Sequence, residues 1–220
     1  MHWLDCVKVI MIDFEFKISE KFKKLINLQI TQTVGDDYSY YEQLSQIQFD
    51  AIKKHIDNPK KILDLGCGLG RMSIYLNYML KNPDIEYILA DGSCGDIPVK
   101  QKYGWNPAGG FYNDLQLTEE FVKANGVYNY SILDLSKETI CSLKDVDMVM
   151  SFLSVGFHYP IEPYLKDLIK IANNDAIFVF GVRSGKYSIE FFKQYFSNVF
   201  LGEGTEDRRE NIFIMNDILR

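Results

Sequence analysis

Residues 60–75 read KKILDLGCGLGRMSIY, and this pattern decides the fold. Ile62, Leu63 and Leu65 form an apolar strand. Gly66, Gly68 and Gly70 form a turn. Met72, Ile74, Tyr75 and Leu76 begin the apolar face of a helix. A strand that enters a helix through glycines leaves backbone N–H groups at the helix N-terminus without internal partners. These groups and the helix dipole predict a ligand lying against the turn, and glycines let it approach the main chain. The expectation is a nucleotide-type binding loop.

No Gly-Lys-Ser/Thr follows the glycines, which argues against a phosphate-binding P-loop. The spacing is G-x-G-x-G rather than the G-x-G-x-x-G of dinucleotide folds. Asp64 stands just before the first glycine. A carboxylate there repels a pyrophosphate and suits a cationic ligand carrying an amino group.

Outward from this stretch, strands and helices alternate. Upstream, Leu44, Ile47, Ala51, Ile52 and Ile56 predict a helix over Tyr41–Ile56, ended by Asn58-Pro59. Downstream, strands are expected at Glu86–Ala90, Tyr128–Leu133, Asp147–Leu153, Ala176–Gly181, Asn198–Leu201 and Asn211–Met215. Helices are expected at Asn113–Asn125, with Gly126 as its C-terminal stop, at Ile161–Ala172 and at Ile189–Phe196. The prediction is an α/β, Rossmann-like, doubly wound seven-stranded sheet, mostly parallel with an antiparallel C-terminal edge strand. Asp91, at the tip of the second strand, offers two acceptor oxygens to the two hydroxyls of a ribose. Residues 1–30 are less regular; Val7–Phe16 could be a strand, and Phe22–Ile30 a short helix or a further strand. The glycine- and proline-punctuated stretch after Asp91 is long for a connection. It predicts a lid or substrate loop over residues 93–112, with Trp105 inside it.

The hydrophobic-Asp-hydrophobic-Gly-x-Gly-x-Gly pattern of residues 62–70 resembles motif I of class I S-adenosylmethionine (SAM)-dependent methyltransferases. The ordered strands and acids extend the resemblance over roughly residues 41–215. More weakly, GGFYNDLQLTEEFVKANGV and DMVMSFLSVGFHYPIEPYL resemble bacterial methyltransferases encoded with surface-polysaccharide genes and provisionally named sugar O-methyltransferases. The resemblance implies SAM as cosubstrate and S-adenosylhomocysteine as product. It implies cosubstrate contacts from Asp64, Gly66, Cys67, Gly68, Asp91, Gly92, Asp134, Leu135, Ser151 and Phe152, with Asp134 facing the adenine amino group. It places the catalytic rim at residues 154–160. The rim lacks an Asp/Asn-Pro-Pro-aromatic motif, which counts against methylation of DNA or glutamine. His158 stands there between aromatics, and a neutral imidazole can take a hydroxyl proton during transfer. Tyr41, Trp105, Tyr159 and Arg183 are candidate acceptor contacts. Tyr40 and Gln46, on the helix before the first strand, are further candidates for the pocket. No Asp/Asn cluster suits a divalent metal, so none is expected.

Composition narrows the partners. The net charge is −6 and there is no strong Lys/Arg run, so nucleic acid is a poor partner. The apolar patch near the N-terminus is interrupted by Asp5, Lys8 and Asp13, so no membrane span is expected. The four cysteines, Cys6, Cys67, Cys94 and Cys141, form no C-x-x-C pair, which suits reduced thiols in a cytoplasm. The expectation is a methyltransferase domain over residues 41–220, with residues 1–40 packing on or covering its site. Its acceptor would be a small molecule such as a sugar or nucleotide sugar. Methylation of nitrogen or of a protein or RNA, and a non-enzymatic SAM- or nucleoside-binding role, are the alternatives.

Overall fold

The computed structural model describes residues 14–29, 38–93, 113–202 and 210–219. The strands are β1 (Lys61–Leu65), β2 (Glu86–Asp91), β3 (Tyr130–Asp134), β4 (Val146–Ser151), β5 (Ala172–Arg183), β6 (Phe196–Leu201) and β7 (Glu210–Ile218). They form one sheet in the order β3-β2-β1-β4-β5-β7-β6. β1 to β5 pair in parallel, while β7 is antiparallel to both β5 and β6. The expected seven-stranded sheet is present, with its antiparallel strand one place in from the edge. The order reverses between β1 and β4, and in open α/β sheets ligands bind beyond the carboxyl ends of the strands at such a point.

The helices are α1 (Glu20–Gln29), α2 (Ser39–Ile52), α3 (Arg71–Leu80), α4 (Leu115–Ala124), α5 (Glu162–Ile171) and the single turn α6 (Ile189–Phe192). Side chains alternate across the strands, so each strand feeds two cores. Ile62, Leu89, Met148, Met150 and Val179 pack with α1 to α4. Leu63, Leu65, Val149, Phe178 and Phe180 pack with α5 and α6. This alternation puts Asp64 on the α3 side of β1. Of the stretch 22–30, open between helix and strand in the sequence, residues 22–29 are helical in α1. Its Phe22, Leu25 and Ile26, together with Phe16, are buried against Phe121 of α4 and Tyr41 of α2. The N-terminal segment is tied down by Phe16 N–H donating to Glu42 and Lys17 N–H donating to Asn125. Of the strand expected at Val7–Phe16, residues 7–13 lie outside the described residues, and Phe14–Phe16 are not in a strand.

Three boundaries move for physical reasons. β3 starts at Tyr130 because the residues before it close α4. Gly126 has φ 85° and Val127 N–H donates to Val122 O, a Schellman-type cap, and Tyr128 is left exposed. Asp114 caps the start of α4 by accepting from Gln116 and Leu117 N–H, so the helix begins at Leu115 rather than Asn113. The helix expected over Ile189–Phe196 is one turn long because Phe196 already belongs to β6, buried against Phe178. Among the described residues no helix is long and apolar enough to cross a membrane.

Candidate functional site at the sheet switch point

The glycine turn lies at the carboxyl end of β1, beside the rim loop that leaves β4. Gly66, Gly68 and Gly70 all have positive φ, the region that favours glycine. Two of them are also required by packing. A Cβ on Gly66 would lie 1.9 Å from Ser154 Oγ, so the rim loop rests directly on the turn. A Cβ on Gly70 would lie 2.7 Å from Val122, where α3 meets α4.

The turn's amides correct the sequence expectation. Gly66 and Cys67 N–H both donate to Ala90 O, Gly70 N–H donates to Cys67 O, and Gly68 N–H donates to Asp91 Oδ2 at 2.9 Å. These four donors are satisfied within the chain, so the turn is not a cradle of free amides for an anion. It binds β1 to β2 and holds Asp91 in place. This departs from phosphate-binding loops and suits a ligand without phosphate at the turn.

Asp91 is the centre of the cluster. Oδ1 accepts from Gly92 N–H at 2.7 Å, and Oδ2 also takes a longer contact of 3.2 Å from Asn113 Nδ2. A carboxylate has about four lone-pair sites. Three are used, so one hydroxyl can be accepted as the site stands. The second of the two expected ribose hydroxyls must displace the long Asn113 contact. Burial pushes the Asp91 carboxyl up to about 6, against the pull of Gly68, Gly92 and Asn113. Asn113 also donates to Gly68 O at 2.7 Å, and Thr118 Oγ donates to the same carbonyl. Asn113 Oδ1 is buried without a partner. Ser93 and Asn113 form an isolated bridge, so the chain leaves and returns beside the glycine turn. The loop expected between them, including Trp105, lies outside the described residues.

Asp64 is buried, and Ser73 Oγ donates to it at 2.8 Å. Burial raises its carboxyl to about 7, although Ser73 and Arg71 oppose the shift. Cys67 is buried, and burial and then the two acids raise its thiol well above the ordinary range.

The remaining predicted residues fall into two groups. Gly92, Asp134 and Leu135 stand beside Asp91, with Asp134 in register with it and Leu135 N–H donating to Asp91 O. Asp134 accepts from Ser136 N–H and pairs with Lys137 at 2.7 Å. Burial alone would raise its carboxyl, but these donors bring it down to about 2. Most of Asp134's acceptor capacity is used within its own turn rather than facing outward. Ser151 Oγ donates to Leu65 O and accepts from Val155 N–H, so it ties β1 to the rim loop. Phe152 is buried against Gly181 of β5.

The rim loop is tightly built. Leu153 has φ 56°, a strained value for a branched side chain, and Gly156 has φ 93°. His158 N–H donates to Ser154 O, and the imidazole packs edge-on against Phe157 at 4.9 Å. Arg183 Nε donates to Phe157 O at 3.0 Å, and its guanidinium lies over the Phe157 ring, so it clamps the loop. Burial, and then the field of Asp91, raises the phenols of Tyr159 and Tyr164. Tyr41 is only 1% exposed, set between Phe16, Phe121 and Arg71, rather than on an open acceptor face.

Sequence reasoning missed Asn113 and Thr118. It also missed a buried polar set: Ser45 and Gln48 on α2, Arg71 on α3 and Glu210 on β7. The signal was present on α2, where Tyr41, Ser45, Gln48 and Ile52 share one helical face that would otherwise be apolar. A hollow of about 220 Å³ lined by Asn77, Asn82, Tyr128 and Asn129 lies at the opposite edge of the sheet, before β2 and β3. Its asparagines are bonded to Gly126, Asn58 and Asp84.

The architecture is a Rossmann-like fold with a glycine turn and an acid-bearing neighbouring strand at its switch point, and solved SAM-dependent methyltransferases share this fold. A SAM-dependent O-methyltransferase from Thermotoga maritima aligns over 92% of this chain and 73% of its own, with TM-score 0.51 and 14% identity. Precorrin-6y C5,15-methyltransferase from Geobacter metallireducens aligns over 78% and 86%, with TM-score 0.54 and 14% identity. A Nostoc punctiforme chain assigned as an O-methyltransferase aligns over 80% of this chain with TM-score 0.55 and 13% identity, and this chain spans 59% of its length. No family model and no curated relative matches the sequence.

Proposed function

We propose that this chain is a SAM-dependent methyltransferase that methylates an oxygen of a small molecule, a sugar or sugar derivative. One observation carries the reading. At the switch point, Asp91 is held by Gly68 N–H on a glycine turn whose own amides are satisfied. That arrangement suits a nucleoside with a cationic tail better than a pyrophosphate. Supporting it, solved structures with this fold include a precorrin methyltransferase and a SAM-dependent O-methyltransferase. The buried, unpartnered Asn113 Oδ1 and Tyr41 Oη leave polar atoms for such a ligand to satisfy.

SAM when bound supplies an electrophilic methyl group on a sulfonium. Asp91 accepts a ribose hydroxyl, and Gly66 to Gly68 flank the cosubstrate. The chain's main contribution is alignment of the acceptor oxygen. His158 on the rim loop takes the acceptor's proton, and Arg183 holds that loop in position. Of residues 1–40, the described residues 14–29 pack against α2 and α4.

The test is titration with S-adenosylhomocysteine, followed by acceptor screening with labelled SAM against sugars, sugar phosphates and nucleotide sugars. Absence of S-adenosylhomocysteine binding refutes the reading. For the base, His158→Ala should abolish turnover and leave cosubstrate affinity within about twofold. Unchanged turnover removes His158 from that role.

A further inference from the structure

The hollow of about 220 Å³ at the far edge of the sheet takes no part in the switch-point site. Its lining comes from the C-terminal ends of α3 and α4 and from the turns that lead into β2 and β3. β2 is six residues long, so the hollow stands roughly 16 Å along the strand from Asp91.

Three side-chain amides are fixed around it. Asn77 Nδ2 donates to Gly126 O at 3.3 Å, Asn82 Nδ2 to Asn58 Oδ1 at 3.0 Å and Asn129 Nδ2 to Asp84 O at 3.3 Å. Asn82 Oδ1 accepts from Asp84 N–H. An amide nitrogen carries two N–H donors, and an amide oxygen two lone pairs. One N–H of each residue is spent on holding its side chain in place. Among the described residues, the second N–H of each, and the side-chain oxygens of Asn77 and Asn129, remain for a ligand. Donors and acceptors therefore stand side by side in a fixed arrangement.

An aromatic ring completes the lining. The cap that closes α4 buries Val127 and leaves Tyr128 80% exposed, the most exposed large apolar side chain among the described residues. Tyrosine offers a broad, rigid contact face at low cost in side-chain entropy. The charges favour a neutral ligand. Two helix C-terminal ends bring the negative ends of their dipoles, which disfavours an anion. Lys81, at the end of α3, brings a positive charge, which disfavours a cation. The hollow is smaller than the roughly 300–1,000 Å³ of drug-sized sites, so it suits a single small ring. A sugar ring meets each condition. Its adjacent hydroxyls both donate and accept, as the amides do, and its C–H face can lie on an aromatic ring.

We propose that this hollow binds one neutral sugar ring, stacked on Tyr128 and hydrogen-bonded by Asn77, Asn82 and Asn129. The site is separate from the glycine turn and does not rest on the SAM reading.

The experiment is saturation-transfer NMR on the full chain without cosubstrate. The probes are the methyl glycosides of glucose, galactose, mannose and N-acetylglucosamine. At least one should bind wild type, with a dissociation constant on the order of 1 mM, as a single ring with few contacts allows. Tyr128→Ala should abolish that binding, whereas Tyr128→Phe keeps the ring and should leave it nearly unchanged. Asn129→Ala should weaken it about fivefold, the loss of one hydrogen bond. Tyr128 and Asn129 are both exposed, so the variants should unfold at the wild-type midpoint and the comparison stays open. Binding of none of the four glycosides overturns the proposal. So does binding that survives both Tyr128→Ala and Asn129→Ala, or that S-adenosylhomocysteine displaces, since the sugar then sits elsewhere. Displacement by inorganic phosphate overturns the neutral character of the site. None of these results bears on whether the glycine turn binds SAM.

Discussion

Replacing Gly66 with alanine tests whether the glycine turn is shaped by the rim loop. Gly66 has φ 71°, and an alanine held there costs about 1–2 kcal/mol. The added Cβ would also sit 1.9 Å from Ser154 Oγ and 2.5 Å from Ser154 Cβ, so the rim loop must move. Overpacking of this kind costs about 1–3 kcal/mol. The variant should lose roughly 2–5 kcal/mol by urea unfolding. Because Ser154 accepts from His158 N–H through its carbonyl, the displacement also shifts the rim, and affinity for S-adenosylhomocysteine should fall with stability. The double variant Gly66→Ala/Ser154→Gly removes the overlap but not the dihedral cost. It should recover about 1–3 kcal/mol relative to the sum of the two single changes, a coupling that urea unfolding resolves. If the two changes are additive, or if Gly66→Ala is as stable as wild type, the packing argument is wrong and Gly66 serves the ligand alone.

Three further outcomes follow from the buried polar groups. Asp64 ionises near 3.9 in an unfolded chain but at about 7 in the fold, so the native state holds the extra proton and stability falls as pH rises from about 4 to 7. The fall for this residue is on the order of 4 kcal/mol at most, and Asp64→Asn should flatten the curve of unfolding midpoint against pH. Asp91 must be ionised to accept a ribose hydroxyl well, so S-adenosylhomocysteine affinity should rise as pH passes about 6 and level off above it. Calorimetry at stepped pH checks this, and an unchanged profile in Asp91→Asn would remove Asp91 from the site. Gln48→Leu strips a partner from both Arg71 and Glu210 and should cost at least about 1–3 kcal/mol in urea unfolding, whereas exposed Lys53→Ala should cost little.

Much of the fold was legible because its signals are local. The glycine turn, the apolar strand runs and the Gly126 stop each act within a few residues, and the structure realises them. Boundaries slipped where a cap consumed residues, as with Val127 closing α4 before β3, or where a neighbouring strand captured an apolar run, as with Phe196. The site was legible where strand tips carry acids, because parallel strands bring their carboxyl ends together. It was not legible where partners come from distant segments. Gln48 and Glu210 are 162 positions apart, and neither has a local pattern that names the other.

The sequence by itself determined the order of strands and helices and the place of the glycine turn, because hydrophobic period and backbone freedom are properties of short stretches. Tertiary structure decided what the turn is for. Its amides are satisfied by Ala90, Asp91 and Cys67, and its first glycine is pressed against Ser154. It also decided that Arg71 sits buried near the Tyr41 ring, donating to Ser45 and Gln48. Hydrogen-bond partners and desolvation depend on which segments meet, and only the folded sheet brings these together.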